Sequence, residues 1–189
     1  SAPFVLNTDG IATVKYRSTD KAGNVETVRS QEVKINQSGI VGWWKMDNNW
    51  QDSSVTVNHG TAYNGATFSP NAKIGAYAGS FDGANDYAAA ASKAEYQNTD
   101  NFTLEAWVRS QTSGKWQWIA GPLNSANNYG YGLNINANGT FSFMLGNNGS
   151  WGYAVSNSNL AGDNAWHHVV GVRRNGTAYI YLDGIEQST

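Results

Sequence analysis

The stretch SFDGANDY places Asp82 and Asp86 four residues apart in a bend, with Gly83 and Asn85 between them. A carboxylate pair so placed has three uses: a catalytic dyad, hard oxygen ligands for calcium, or acceptors for the chain's own amides. Asp-Gly and Asn-Asp hold left-handed backbone and satisfy local amides, so turn chemistry is the leading reading and calcium the second. A second oxygen-rich loop, WKMDNNWQDSS, crowds Asp47, Asn48, Asn49 and Asp52 behind a Trp-rich segment. Asp47 and Asp52 are the metal candidates there, for a structural Ca2+, against a solvated Asx-rich loop.

The three histidines build no zinc or nucleophile constellation. His167 and His168 are neighbours on a strand pattern and point to opposite faces, while His59 stands alone in NHGT. Structural roles are expected for them.

Two aromatic, amide-rich stretches carry the ligand-binding expectation. SGKWQWIAGPLNSANNYGYG and GNNGSWGYAVSNS hold Trp116, Trp118, Asn128, Tyr129, Trp151 and Tyr153 among further Asn residues. A sugar offers an apolar ring face and a rim of hydroxyls, so its receptor needs flat aromatics and amides or carboxylates. The bland alternative is that alternating members such as Trp116 and Trp118 share one strand face and fill the core. Five N-x-[ST] matches, at Asn36, Asn101, Asn138, Asn148 and Asn175, mark surface turns and not necessarily glycans.

Strands must position these residues. Alternating or β-branched runs recur at IATVKYRS, TVRSQEVKI, FTLEAWVRS, YGLNIN, GTFSFML, WHHVVGV and TAYIYLDG, each bounded by Gly, Asn or Asp, while helical periodicity is almost absent. In FTLEAWV, Phe102, Leu104, Ala106 and Val108 share one face. In WHHVVGV, Trp166, His168, Val170 and Val172 oppose His167, Val169 and Gly171. Asp183-Gly184 predicts a type I′ hairpin turn with a partner strand from Ile185. The fold class is all-β, an antiparallel β-sandwich.

The 189 residues are 40% hydrophobic, enough for a core, and 14% charged with a net charge of −2. Without a basic surface, nucleic acid is not an expected partner. No apolar run reaches the roughly 18–20 residues a membrane helix needs, so membrane insertion is not expected. Cysteine is absent, which removes disulfides and thiolate metal sites. Sparse Lys and Glu with abundant Gly, Asn, Ser and Thr suit a secreted or cell-surface protein, and the start SAPFVLNTDG reads as a mature or excised one.

A Gly/Ser/Asn stretch at NQSGIVGWW separates two regions, 1–38 and 39–189. In the first, GIATVKYRSTDKAGNVE resembles the closing hairpin of bacterial immunoglobulin-like repeats, which implies a corner or core Tyr16 and a turn at Asp20 to Asn24. In the second, VGWWKMDNNWQDSS, NHGTAYNGATF, IGAYAGSFDGANDYAAA, NFTLEAWVRS and AWHHVVGVRRNGTAYIYLDG follow one another in the order of the laminin-G-like, pentraxin-related branch of the concanavalin A-like jelly rolls. That resemblance implies a jelly-roll sandwich with further strands beyond Thr189, and a structural calcium near the first strand. Jelly-roll glycosidases of the retaining type carry Glu-x-Asp-x-x-Glu on one strand. Here TLEAWV carries Glu105 alone, so no catalytic residues and no enzyme are expected.

The expectation is a non-catalytic carbohydrate-binding or cell-surface adhesion module of a larger secreted bacterial protein, its partner a carbohydrate, a cell-surface glycan or a protein. The alternatives are a structural or protein-protein spacer, and an accessory domain of a glycoside hydrolase.

Overall fold

A computed structural model describes residues 10–16, 19, 21–35, 39–97, 101–111, 114–124, 129–147 and 150–187. In chain order its strands are β1 (Gly10–Tyr16), β2 (Arg29–Ile35), β3 (Gly60–Tyr63), β4 (Thr67–Ser69), β5 (Ala78–Ser80), β6 (Tyr87–Ala90), β7 (Phe102–Val108) and β8 (Gln117–Ala120). They continue with β9 (Leu123–Asn124), β10 (Tyr129–Ile135), β11 (Phe141–Asn147), β12 (Ser150–Val155), β13 (His167–Arg174), β14 (Thr177–Leu182) and β15 (Ile185–Glu186). Among the described residues one 3-10 turn, Ala94–Tyr96, interrupts them.

All pairings are antiparallel. One sheet runs β12-β11-β10-β8 with β9 added on β10, and a second runs β15-β14-β13-β7. Three two-stranded sheets, β1-β2, β3-β6 and β4-β5, complete the fold. The β1-β2 hairpin pairs Gly10 with Ile35 through Tyr16 with Arg29. Of the turn segment expected at Asp20 to Asn24, Asp20 lies outside the described residues, as does the side chain of Tyr16.

The two large sheets pack face to face because each carries apolar residues at every second position. Leu133 and Ile135 of β10, Phe141 and Phe143 of β11 and Ala154 of β12 meet Val169 of β13 and Ala178, Ile180 and Leu182 of β14. Phe102, Leu104 and Val108 of β7 pack against this core from its margin. The inward face of β13 is therefore His167, Val169 and Gly171, opposite Val108, Ala106 and Leu104 of β7. Gly171 sits directly beneath Phe143, whose ring occupies the space a Cβ would take. The absence of a side chain on β13 is what lets the two sheets close on that ring.

The expected turns form. Asp183 and Gly184 adopt φ 52° and 82°, joining β14 to β15 with Leu182 opposite Ile185. Asn175 and Gly176, at φ 52° and 80°, do the same between β13 and β14. Ahead of the sandwich, Trp50 packs on Phe68 and Phe81 at ring-centroid distances of 4.5 and 5.9 Å, giving the β4-β5 region a small aromatic centre.

Candidate functional site

On β10, β11 and β12 the inward residues alternate with a second set that faces away from the core. Direct cross-strand neighbours share a face, so Gly132 lies beside Met144 and Met144 beside Tyr153. Likewise Gly130 neighbours Gly146, which neighbours Trp151, and Asn134 neighbours both Trp118 and Ser142. The outer face of the five-stranded sheet is thus floored by three glycines, Asn134, Ser142 and Met144, with Trp118 at one side and Trp151 and Tyr153 at the other.

Trp118 leans over the floor, its ring taking the place a Cβ on Gly132 would need. Its indole N–H donates to the Gly121 carbonyl at 3.3 Å. Trp116 tilts against it with ring centroids 5.5 Å apart and remains 51% exposed. Across the sheet Tyr153 is 54% exposed and Trp151 is half-buried. Trp116 and Trp118 do share a face, as alternation requires, but it is the outer face and not the core.

A polar ladder runs beside the aromatics. The Asn134 amide donates to Asn136 Oδ1 at 3.0 Å, the Ser142 hydroxyl donates to the same oxygen at 3.3 Å, and Asn136 donates to Thr140 Oγ1 at 2.9 Å. These bonds fix the Asn134 amide plane. Its Oδ1 is buried and accepts no hydrogen bond, although Asn134 is 0% exposed. A buried amide oxygen without a donor costs on the order of 1–3 kcal/mol.

Of the residues expected to bind ligand, Trp116, Trp118, Trp151 and Tyr153 are brought to this one face. Tyr129 opens β10 with its side chain outside the description, and Asn128 lies outside the described residues altogether. The floor residues Gly130, Gly132, Asn134, Ser142 and Met144 were not anticipated. The available signal was the small-residue alternation in YGYGLNIN together with a run from Trp116 to Gly162 that contains no Asp, Glu, Lys, Arg or His.

The carboxylates proposed for calcium serve the backbone. Asp52 is buried and accepts from the Trp43 and Ser54 amides on Oδ1, both at 2.8 Å, and from the Asn58 amide and Ser54 hydroxyl on Oδ2, both at 2.9 Å. Burial pushes its carboxyl up, but the amides of Asn58, Ser54 and Trp43 and the Ser54 hydroxyl outweigh this and hold it below the usual range. Asp47 serves a different loop, accepting from the Ala76 and Tyr77 amides at 3.0 and 2.8 Å. Among the described residues no three His, Asp or Glu side chains converge in a way that could hold a metal ion.

In the bend between β5 and β6, Asp82 Oδ1 accepts from the Ala84 amide at 2.8 Å and the Asn85 amide at 3.3 Å, while Asp86 Oδ2 accepts from the Asp82 amide at 3.0 Å. The Ala84 amide is the main reason the Asp82 carboxyl lies below its ordinary range. Gly83 takes φ 72°. Turn chemistry thus makes three hydrogen bonds to two of the carboxylate oxygens, Asp82 Oδ1 and Asp86 Oδ2, while Asp86 Oδ1 is buried without a partner beside Gly65. The flanking aromatics are exposed shoulders: Phe81 leans on Trp50, and Tyr87 stacks on Tyr63 at 4.7 Å.

The two neighbouring histidines part company as expected. His168 faces outward, stacks on Trp107 at 5.0 Å and pairs with Glu105 at 3.4 Å. His167 points inward and bridges two carboxylates, Asp183 at 2.8 Å and Asp163 at 3.2 Å. Burial lowers its pKa, but hydrogen bonds and charge from Asp183 and then Asp163 raise it, net, above the ordinary 6.5. A raised folded-state value means that the clamp stabilises fully below pH 6.5 and that this contribution is lost as pH rises through the folded value. Thermal melts between pH 6 and 9 should show a falling midpoint. His167→Gln should flatten that dependence; an unchanged slope in the variant would mean another group titrates.

Three comparisons bear on this arrangement. Residues 82–189 match a family model, Laminin_G_3, described as the concanavalin A-like lectin/glucanases superfamily. A 2.1 Å crystal structure of residues 221–444 of an S-layer domain-containing protein from Clostridium thermocellum ATCC 27405 resembles the fold with a TM-score of 0.52. It is 24% identical and covers 78% of this chain and 70% of its own, a likeness of fold. No curated protein matches the sequence.

Proposed function

The chain belongs to the concanavalin A-like lectin/glucanases superfamily, and from that premise we propose that it is a non-catalytic carbohydrate-binding module of a cell-surface or secreted protein. The observation that carries this is the gathering of Trp116, Trp118, Trp151 and Tyr153 around a glycine-floored outer sheet face lined with amides. The exposed rings at either side, Trp116 and Tyr153, would receive the apolar faces of pyranose units.

Glu105 has His168 as its neighbour and no second carboxylate on β7, so the two-carboxylate route of glycoside hydrolysis is not the activity we assign. The S-layer description of the structural neighbour is in keeping with a surface setting. Among the described residues no helix is long and apolar enough to cross a membrane. The β1-β2 hairpin, a sheet of its own, supports a division into an immunoglobulin-like end piece at 1–38 and the jelly roll at 39–189. It also favours the alternative reading of a spacer in a tandem β-module stalk. Structural calcium, if bound, would sit at the Asp47 and Asp52 loops as reinforcement and not at the sugar face.

The test is retention on immobilised polysaccharides. Trp151→Ala and Tyr153→Ala are each expected to weaken binding by about tenfold, since stacking of a ring contributes on the order of 1–2 kcal/mol. Retention that survives both substitutions places the ligand elsewhere, and a wild-type chain that binds no glycan makes the module a spacer.

A further inference from the structure

We propose that Tyr63 and Tyr87 form an oxidative modification site, where a haem peroxidase acting with hydrogen peroxide joins the two rings into a dityrosine that staples β3 to β6. The inference is independent of the carbohydrate reading and concerns other strands of the chain.

Tyr63 ends β3 and Tyr87 opens β6, and the antiparallel register sets them directly opposite each other. Cross-strand partners of this kind hold their Cβ atoms about 4.5–5.5 Å apart, which brings two rings together without strain. Here the rings stack with centroids 4.7 Å apart and planes 12° from parallel. Both stand out from the surface, 43% and 48% exposed, so a one-electron oxidant reaches either ring.

The backbone around the pair is pinned. After Tyr63 the chain reverses through Asn64 and Gly65, at φ 61° and 121°, and the Ala66 amide donates to the Tyr63 carbonyl at 3.2 Å. The Asn64 side-chain amide donates to the Asn85 carbonyl at 2.8 Å, which ties this turn to the bend that leads into Tyr87. Within that bend Asp86 accepts the Asp82 amide. Two reacting rings held in place by such a frame meet as parts of one molecule, where proximity replaces diffusion. Among the described residues no other two tyrosine rings are in contact. Tyr153 is exposed but stands without a second tyrosine, while the hydroxyls of Tyr96 and Tyr181 are engaged by Asn58 and Glu186.

The chemistry balances. Each phenol gives up one electron and one proton to peroxide, whose O–O bond breaks to leave two waters. The two phenoxyl radicals couple through ring carbons ortho to oxygen, forming one C–C bond, and the hydrogen on each coupled carbon moves to its oxygen to restore the phenols. The product closes the chain from Tyr63 to Tyr87 into a covalent loop, which restricts the unfolded chain as a disulfide does. With cysteine absent, no disulfide supplies such a link.

The experiment exposes the whole chain, at micromolar concentration, to a haem peroxidase and hydrogen peroxide, and reads dityrosine fluorescence, migration on a denaturing gel and tryptic peptide masses. Cleavage after Lys45, Lys73 and Lys93 yields one peptide whose tyrosine is Tyr63 and a second that carries Tyr77 and Tyr87. The expected product is fluorescent, migrates as a monomer and yields these two peptides joined, lighter than their sum by two hydrogen atoms, with fragment ions placing the link at Tyr87. Links within a chain should outnumber links between chains by at least about tenfold. Tyr63→Phe and Tyr87→Phe keep a ring in each place and preserve the packing, and each should abolish the joined peptides. Tyr77→Phe should leave them unchanged. Joined peptides that survive Tyr87→Phe, dityrosine found only between chains, or no dityrosine at all would each overturn the proposal.

Discussion

Truncating Phe143 to alanine is expected to lower unfolding free energy by about 3–5 kcal/mol, the range for removing a large buried aromatic. The ring is 0% exposed, touches Phe102 and fills the space above Gly171, so nothing nearby can move in to close the cavity. The reciprocal change, Gly171→Val, adds bulk where the ring already sits. It is expected to cost at least as much as overpacking usually does, about 1–3 kcal/mol, because the obstacle is an aromatic ring wedged between sheets and not the free end of a flexible chain. Urea unfolding followed by tryptophan fluorescence measures both. The double variant Phe143→Ala with Gly171→Val should recover part of the loss, and strict additivity would show that the two sites do not share one space.

The second large effect belongs to Asp52. Replacing it with alanine strands the amides of Trp43, Ser54 and Asn58 in a buried loop, at a cost of about 3–5 kcal/mol if the loop stays folded. Its pH signature has a definite sign. The folded-state pKa lies below the ordinary 3.8, so the carboxylate's contribution is present above that value and is lost as pH falls through the folded one. Acid titration of the wild type should therefore show a transition that Asp52→Asn shifts to higher pH or removes. If Asp52→Ala melts with the wild type at neutral pH, the loop is held by other contacts.

Much of the architecture is legible in the sequence because strands advertise themselves through a period of two and turns through Asp-Gly and Asn-Gly pairs. Phe102, Leu104 and Val108 fall on the core side as their alternation implies, and β15 starts at Ile185 where the turn signal places it. What alternation cannot reveal is which face looks inward when both carry apolar residues. WHHVVGV offers His167 with Val169 on one side and His168 with Val170 and Val172 on the other, and the side of His167 turns out to be the buried one. His167 is admissible there only because Asp163 and Asp183 arrive from separate segments to satisfy both ring nitrogens.

The same ambiguity separates Trp116 and Trp118 from their role. Their shared face is evident from spacing, but that it is the outer one depends on Gly132 across the β8-β10 pairing leaving room for an indole. Asp47 and Asp52 look like ligands because calcium and backbone amides ask for the same oxygens, and only the fold shows which amides reach them.

The absence of ionic side chains from Trp116 to Gly162 also has a kinetic side. A surface without ionic groups exerts no long-range pull on its ligand, so encounter proceeds at the unsteered rate and is indifferent to the salt of the surroundings. On the proposed carbohydrate reading, retention on a polysaccharide would come from slow release or from many modules engaging one fibre at once.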